Sequence, residues 1–91
     1  MRRVPGPITD PNEEPLGYKV VGSTLYGRAR VVLDGRRMIR IYEWIDTMGS
    51  EGGHGWRKVK RKAERNEVKK APGKWVDFKP ALAAYRKVYE P

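Results

Sequence analysis

The chain contains no cysteine and no glutamine, one histidine (His54) and two asparagines, Asn12 and Asn66. Without cysteine there is no disulfide framework and no thiolate metal site. A single histidine excludes a histidine-rich zinc centre. No apolar run approaches the roughly 18 residues that a membrane span needs. The opening stretch MRRVPGPITDPNEEPLG has basic residues but no apolar segment behind them, so it does not read as a secretory signal. The expectation is a cytoplasmic protein with no membrane partner. Few amides beside many Arg, Lys, Glu and Pro lean toward a thermophilic composition. At 91 residues there is room for one core, and a chain of this size buries only about 60–65 % of the surface it exposes when unfolded.

Positive charge is what the sequence has in excess. The formal net charge is +9, and it is concentrated late in the chain: residues 49–91 hold twelve basic and five acidic side chains. The stretch GWRKVKRKAERNEVKK, residues 55–70, contains eight Lys or Arg and two Glu. Charge of one sign repels itself in a compact fold, and a local cluster of it usually meets a polyanion.

The chain reads as an extended, proline-rich arm over residues 1–17, with Pro5, Pro7, Pro11 and Pro15, followed by a single α+β domain over 18–91. Three runs rich in β-branched and aromatic residues, YKVV, LYGRARVVL and RMIRIYEWI, predict a three-stranded antiparallel sheet. Turn signals stand at Gly22-Ser23 and Asp34-Gly35. A two-residue loop at Asp34-Gly35 would mix Arg with Ile or Val on both faces of the second hairpin. A three-residue loop, Leu33-Asp34-Gly35 with a bulge, separates them. It puts Leu25, Ala29, Val31, Ile39, Ile41 and Ile45 on one face. Tyr26, Arg28, Arg30, Met38, Arg40, Tyr42 and Trp44 then share the other, and this register is the expectation. Trp56, Val59 and Ala63 form a thin apolar stripe if the basic segment is helical; as a strand it would present a ladder of Lys58, Lys60 and Lys62. A basic helix is therefore expected. PALAAYRKVYE predicts a C-terminal amphipathic helix with Pro80 in its first turn and an apolar arc of Ala81, Leu82, Ala84, Tyr85, Val88 and Tyr89. The layout of three strands and a helix is similar to that of small domains that lay a three-stranded sheet in the DNA major groove, without any family motif.

Two constellations carry candidate chemistry. Arg57, Lys58, Lys60, Arg61, Lys62, Arg65, Lys69 and Lys70 offer closely spaced cations, which suit a phosphate backbone. Arg28, Arg30, Arg40, Tyr42 and Trp44 interleave aromatics with arginine, a pattern that suits base stacking beside phosphate contact. The bland alternative is that Trp56 packs against Trp44 or Tyr42 and closes that face as a second small core. His54, between glycines, has no recognisable partner motif for catalysis. The acids show no metal-ligand spacing, and the glycine-rich loop over 46–55 lacks the Gly-Lys-Ser/Thr ending of a phosphate-binding loop. No cofactor and no metal are expected. The reading is a small, non-catalytic nucleic-acid-binding protein. An accessory or inhibitor protein of a phage or mobile element, docking on an acidic protein or nucleoprotein surface, is the alternative. A ribonuclease toxin using His54 is the third.

Overall fold

The computed structural model describes residues 6–9, 11–45 and 55–89. It is a small α+β domain: four strands and two helices in the order β1 (Glu13–Val21), β2 (Thr24–Leu33), β3 (Arg36–Ile45), β4 (Gly55–Lys58), α1 (Lys62–Lys70) and α2 (Phe78–Tyr89). The strands lie in chain order in one antiparallel sheet. His54 and the glycine-rich loop before it lie outside the described residues.

The β2–β3 turn corrects the expected register. Leu33 pairs with Arg36, so the loop is Asp34-Gly35 alone. Both loop residues have positive φ, 52° at Asp34 and 77° at Gly35. That is the backbone of a type I′ turn, whose twist matches that of a hairpin, and Asp-Gly is among the pairs that adopt it most readily. Val31 then pairs with Met38, Arg30 with Ile39 and Ala29 with Arg40. Tyr26, Arg28 and Arg30 share a face with Ile39 and Ile41, while Arg40, Tyr42 and Trp44 lie on the opposite face with Leu25 and Ala29.

The expected separation failed because both faces of this sheet are covered. On one face Ile8, Tyr18, Leu25, Ala29 and Tyr42 pack with Ala81 and Tyr85 of α2, and Val20, Trp44, Trp56 and Phe78 close round them. On the other, Tyr26, Ile41, Val59 and Val68 form a second small core flanked by Val21 and Trp75. Each face therefore mixes apolar residues with arginines at its margin, the pattern a one-dry-face sheet would not show. Gly27 sits between Tyr18 and Tyr42 across the strands. A Cβ there would come within 2.8 Å of the Ile8 side chain, so the small residue lets Ile8 lie directly on the sheet.

A fourth strand replaces the start of the expected basic helix. Trp56 pairs with Trp44, their rings edge to face at 5.4 Å, and Arg57 pairs with Glu43. The lysine ladder never develops, because β4 ends at Lys58 and α1 begins at Lys62. Strand β1 starts at Glu13, inside the stretch read as an arm, and Pro15 is accommodated there on an edge strand. Val76 bridges Tyr18 with two backbone hydrogen bonds, of 2.7 and 2.9 Å, on the outer side of β1. Helix α2 lies against β1 and β2, burying Ala81 and Tyr85 on the Leu25 and Ala29 face, while Ile41 lies on the opposite face; Ala84 and Val88 are exposed, so its buried face is narrower than the sequence arc.

The register generates a direct test. Ile41 is 2 % exposed and Ile39 is 51 % exposed. Ile41→Ala should destabilise by about 2–5 kcal/mol in a denaturant melt, and Ile39→Ala by no more than about 0.5 kcal/mol. The chain has no cysteine of its own, so Arg30→Cys with Ile39→Cys should oxidise to a cross-strand disulfide. Closure of Arg30→Cys with Met38→Cys instead would restore the three-residue loop.

Candidate nucleic-acid interface

The basic segment leaves the sheet at Lys58 and becomes helical at Lys62. Val59 anchors the crossing: its side chain is buried, and its N–H donates to the Ile41 carbonyl at 2.8 Å. Helix α1 is held on its apolar side by Val68, 1 % exposed, and at its C-terminal end by Lys19. Lys19 is itself 4 % exposed, and its Nζ donates to the Ala71 carbonyl at 2.9 Å. A buried ammonium is tolerable there because the helix C-terminus presents partial negative charge. Trp75 adds its ring face: the Lys19 amine lies 5.2 Å and the Arg28 guanidinium 5.0 Å from the ring centroid. Glu64 in the first turn and Lys69 and Lys70 in the last complement the helix dipole.

Because Val68 is the one buried residue of α1, the cations around it stay in solvent. Lys58, Lys60, Arg61, Lys62, Lys69 and Lys70 are exposed, and none forms an ion pair with a described residue. The other two cations of the segment are engaged locally. Arg57 grips Glu43 through Nε at 3.1 Å and Nη2 at 2.7 Å. Arg65 is half-buried and donates to the Lys60 carbonyl at 3.2 Å and the Val59 carbonyl at 3.5 Å, which braces the crossing.

Glu43, Arg57, Lys58, Lys60, Arg61 and Glu64 line an open hollow of about 580 Å³. Burial raises the Glu64 carboxyl above its ordinary 4.5, and the neighbouring Glu43 carboxylate adds to the shift. The Tyr26 hydroxyl, which donates to Glu64 at 3.4 Å, is pushed up by burial and by the same two carboxylates. An anion is thus attracted to the cationic rim and repelled from the acidic floor. Among the described residues no group of three or more His, Asp or Glu side chains converges as a metal site would require.

The second expected surface is not assembled. Arg28 and Arg30 lie on one face of the sheet and Arg40, Tyr42 and Trp44 on the other. Tyr42 is 8 % exposed and donates to Glu13 Oε1; burial, then that bond, raises its pKa. Arg40 meets Glu13 at 3.7 Å and Arg30 meets Glu14 at 3.8 Å. Trp44 packs edge to face with Trp56 and is half-buried, so it is engaged within the sheet. Trp44 Nε1 and Arg28 Nε are buried with no hydrogen-bond partner among the described residues. Sequence reasoning missed the acids that neutralise these arginines, because Glu13 and Glu14 lay in the supposed arm and became visible only with the β1–β2 register. It also missed Lys19 and Val68.

The chain was compared with protein-family models, with curated proteins and with solved structures, and it matches none of them. Among the described residues, no helix is long and apolar enough to cross a membrane.

The Glu64 shift has a definite sign in stability. Well below its ordinary 4.5 the carboxyl is neutral in both states. As pH rises, the unfolded chain ionises first, so stability is lost up to the raised folded-state pKa. Glu64→Gln should therefore melt higher than the parent at about pH 7, with the gain vanishing by about pH 3. A glutamine variant that melts lower at neutral pH would show that Glu64 acts instead as a stabilising partner of Arg61.

Proposed function

We propose that this chain is a non-catalytic nucleic-acid-binding protein that holds the phosphate backbone on Lys58, Lys60, Arg61, Lys62, Lys69 and Lys70. The observation that carries the reading is their state: six exposed cations in thirteen residues, none ion-paired to a described residue, on a scaffold that pairs Arg30, Arg40 and Arg57 with carboxylates. Counterion release rewards each such cation that reaches a phosphate. Helix α1, nine residues long, spans about 14 Å at 1.5 Å per residue. A duplex presents on the order of eight charges over that length, enough for about four contacts.

Duplex is favoured over single strand. Binding to unpaired bases relies on exposed aromatic platforms. Here Tyr18, Tyr26, Tyr42 and Tyr85 are buried, and Trp44, Trp56, Trp75 and Phe78 are half-buried. Among the described side chains no aromatic is exposed, which favours contact through the backbone with little reading of bases.

With about four phosphate contacts, log K for a duplex should fall with log salt at a slope near −3.6, from about −0.9 per contact. The triple variant Lys60→Ala, Arg61→Ala, Lys62→Ala removes half of the six cations and should bring the slope toward about −1.8. Arg28→Ala should change the melting temperature and leave the slope alone. A parental slope and affinity in the triple variant would return the segment to a solvated charged face. His54→Ala should leave binding intact and the chain without nuclease activity; cleavage of RNA by the parent, abolished in that variant, would make the protein an enzyme.

A further inference from the structure

Strand β4 covers only one half of β3. Its residues Gly55 to Lys58 pair with Ile45 to Tyr42, and the chain then departs, with the Val59 N–H on the Ile41 carbonyl. From Arg36 to Arg40, β3 is paired on its β2 side alone. In an antiparallel ladder a residue's N–H and C=O point to the same neighbouring strand, and the direction alternates along the chain. The Ile41 carbonyl faces the β4 side. Ile39 and Arg37 therefore turn their N–H and C=O groups to that side as well, and no described residue pairs with them there. Beside this edge is a hollow of about 180 Å³, walled by Ile39, Ile41 and Val59 and flanked by Arg40, Lys58 and Arg65. The two faces of the edge differ. Arg36, Met38, Arg40 and Lys58 share one face, while Ile39 and Ile41 share the other with Arg37 at its end.

We propose that the open edge of β3, Arg36 to Arg40, is a docking site for an extended acidic segment of a partner protein, added as a further strand in line with β4. Such a segment alternates carboxylates with β-branched residues. The carboxylates lie beside Arg36 and Lys58, both exposed, and beside Arg40. The apolar residues cover Ile39, which is 51 % exposed, and fill the hollow. Charge decides the occupant. A second copy of this chain, at net +9, would set arginine against arginine along the same edge. A polynucleotide has no peptide N–H and C=O to complete the ladder. The site shares Lys58 with the proposed phosphate contacts but uses none of the helix α1 cations, and its backbone ladder at Arg37 and Ile39 is tested apart from the nucleic-acid reading.

The test uses the full ¹⁵N-labelled chain and a capped heptapeptide alternating Glu with Val, with a Lys-Val heptapeptide as control. The Glu-Val peptide should slow hydrogen exchange at the Arg37 and Ile39 amides at least tenfold, and the control should not. Ile39→Pro deletes one outward N–H and spares the β2 ladder, as proline does on edge strands; it should weaken peptide binding at least tenfold and leave duplex binding unchanged. Should that variant unfold, Arg36→Glu, at an exposed position, should weaken the Glu-Val peptide at least threefold with the melt unaltered. Equal binding of both peptides, binding without protection of those amides, or undiminished binding by a folded Ile39→Pro and by Arg36→Glu would overturn the proposal. So would a concentration-dependent dimer that Ile39→Pro abolishes, which would give the edge to a second copy.

Discussion

Asp34 and Gly35 each adopt positive φ, and the two-residue turn they make fixes every pair between β2 and β3. A slip of one residue would exchange Arg40 with Ile41 at the core and expose the apolar set. With the turn as it is, Tyr42 lies beside Gly27 and Ile8 covers the gap, while Leu25 and Ala29 face α2 and Ile41 faces Val59 and Val68. Both cores, the placing of Trp56 on Trp44 and the pairing of Arg40 with Glu13 follow from that one register.

A sheet covered on both faces by so short a chain has two thin cores, and this explains why polar contacts hold its margins. Helix α1 hangs from Val68, the Lys19–Ala71 hydrogen bond and the packing of Trp75. That attachment is narrow, and it is the reason the helix keeps its cations in water. The same economy leaves part of an edge open: Val76 covers β1 only at Tyr18, and β4 covers β3 only from Tyr42 onward. The exposed cations and the open edge are thus two results of one arrangement.

The local signals in the sequence were legible. Three of the four strands, both turns by position, and α2 with Ala81 and Tyr85 facing the sheet could be read from composition and period. The register could not, because the parity argument assumed one dry and one wet face. Arg28 beside Ile41 looked like a conflict until Trp75, from a distant segment, supplied a ring for the guanidinium to cover. Strand β4 was hidden for a similar reason: GWRK is too short and too charged to announce itself, and only Trp44 and Glu43 give Trp56 and Arg57 their partners. The cationic run survives from sequence to structure, but Arg57 and Arg65 are spent inside the fold, and the arginine–aromatic surface is divided between two faces.

The reading that nucleic acid lies along α1 is tested most directly by amide chemical-shift mapping of the ¹⁵N-labelled chain during titration with a short duplex. The nucleic-acid reading predicts that the largest shifts fall on Lys58 and on Lys60 to Lys70, with Leu25, Ala29 and the α2 residues Ala81 and Tyr85 undisturbed. Shifts centred on α2 or on the β2–β3 turn, with α1 silent, would contradict it.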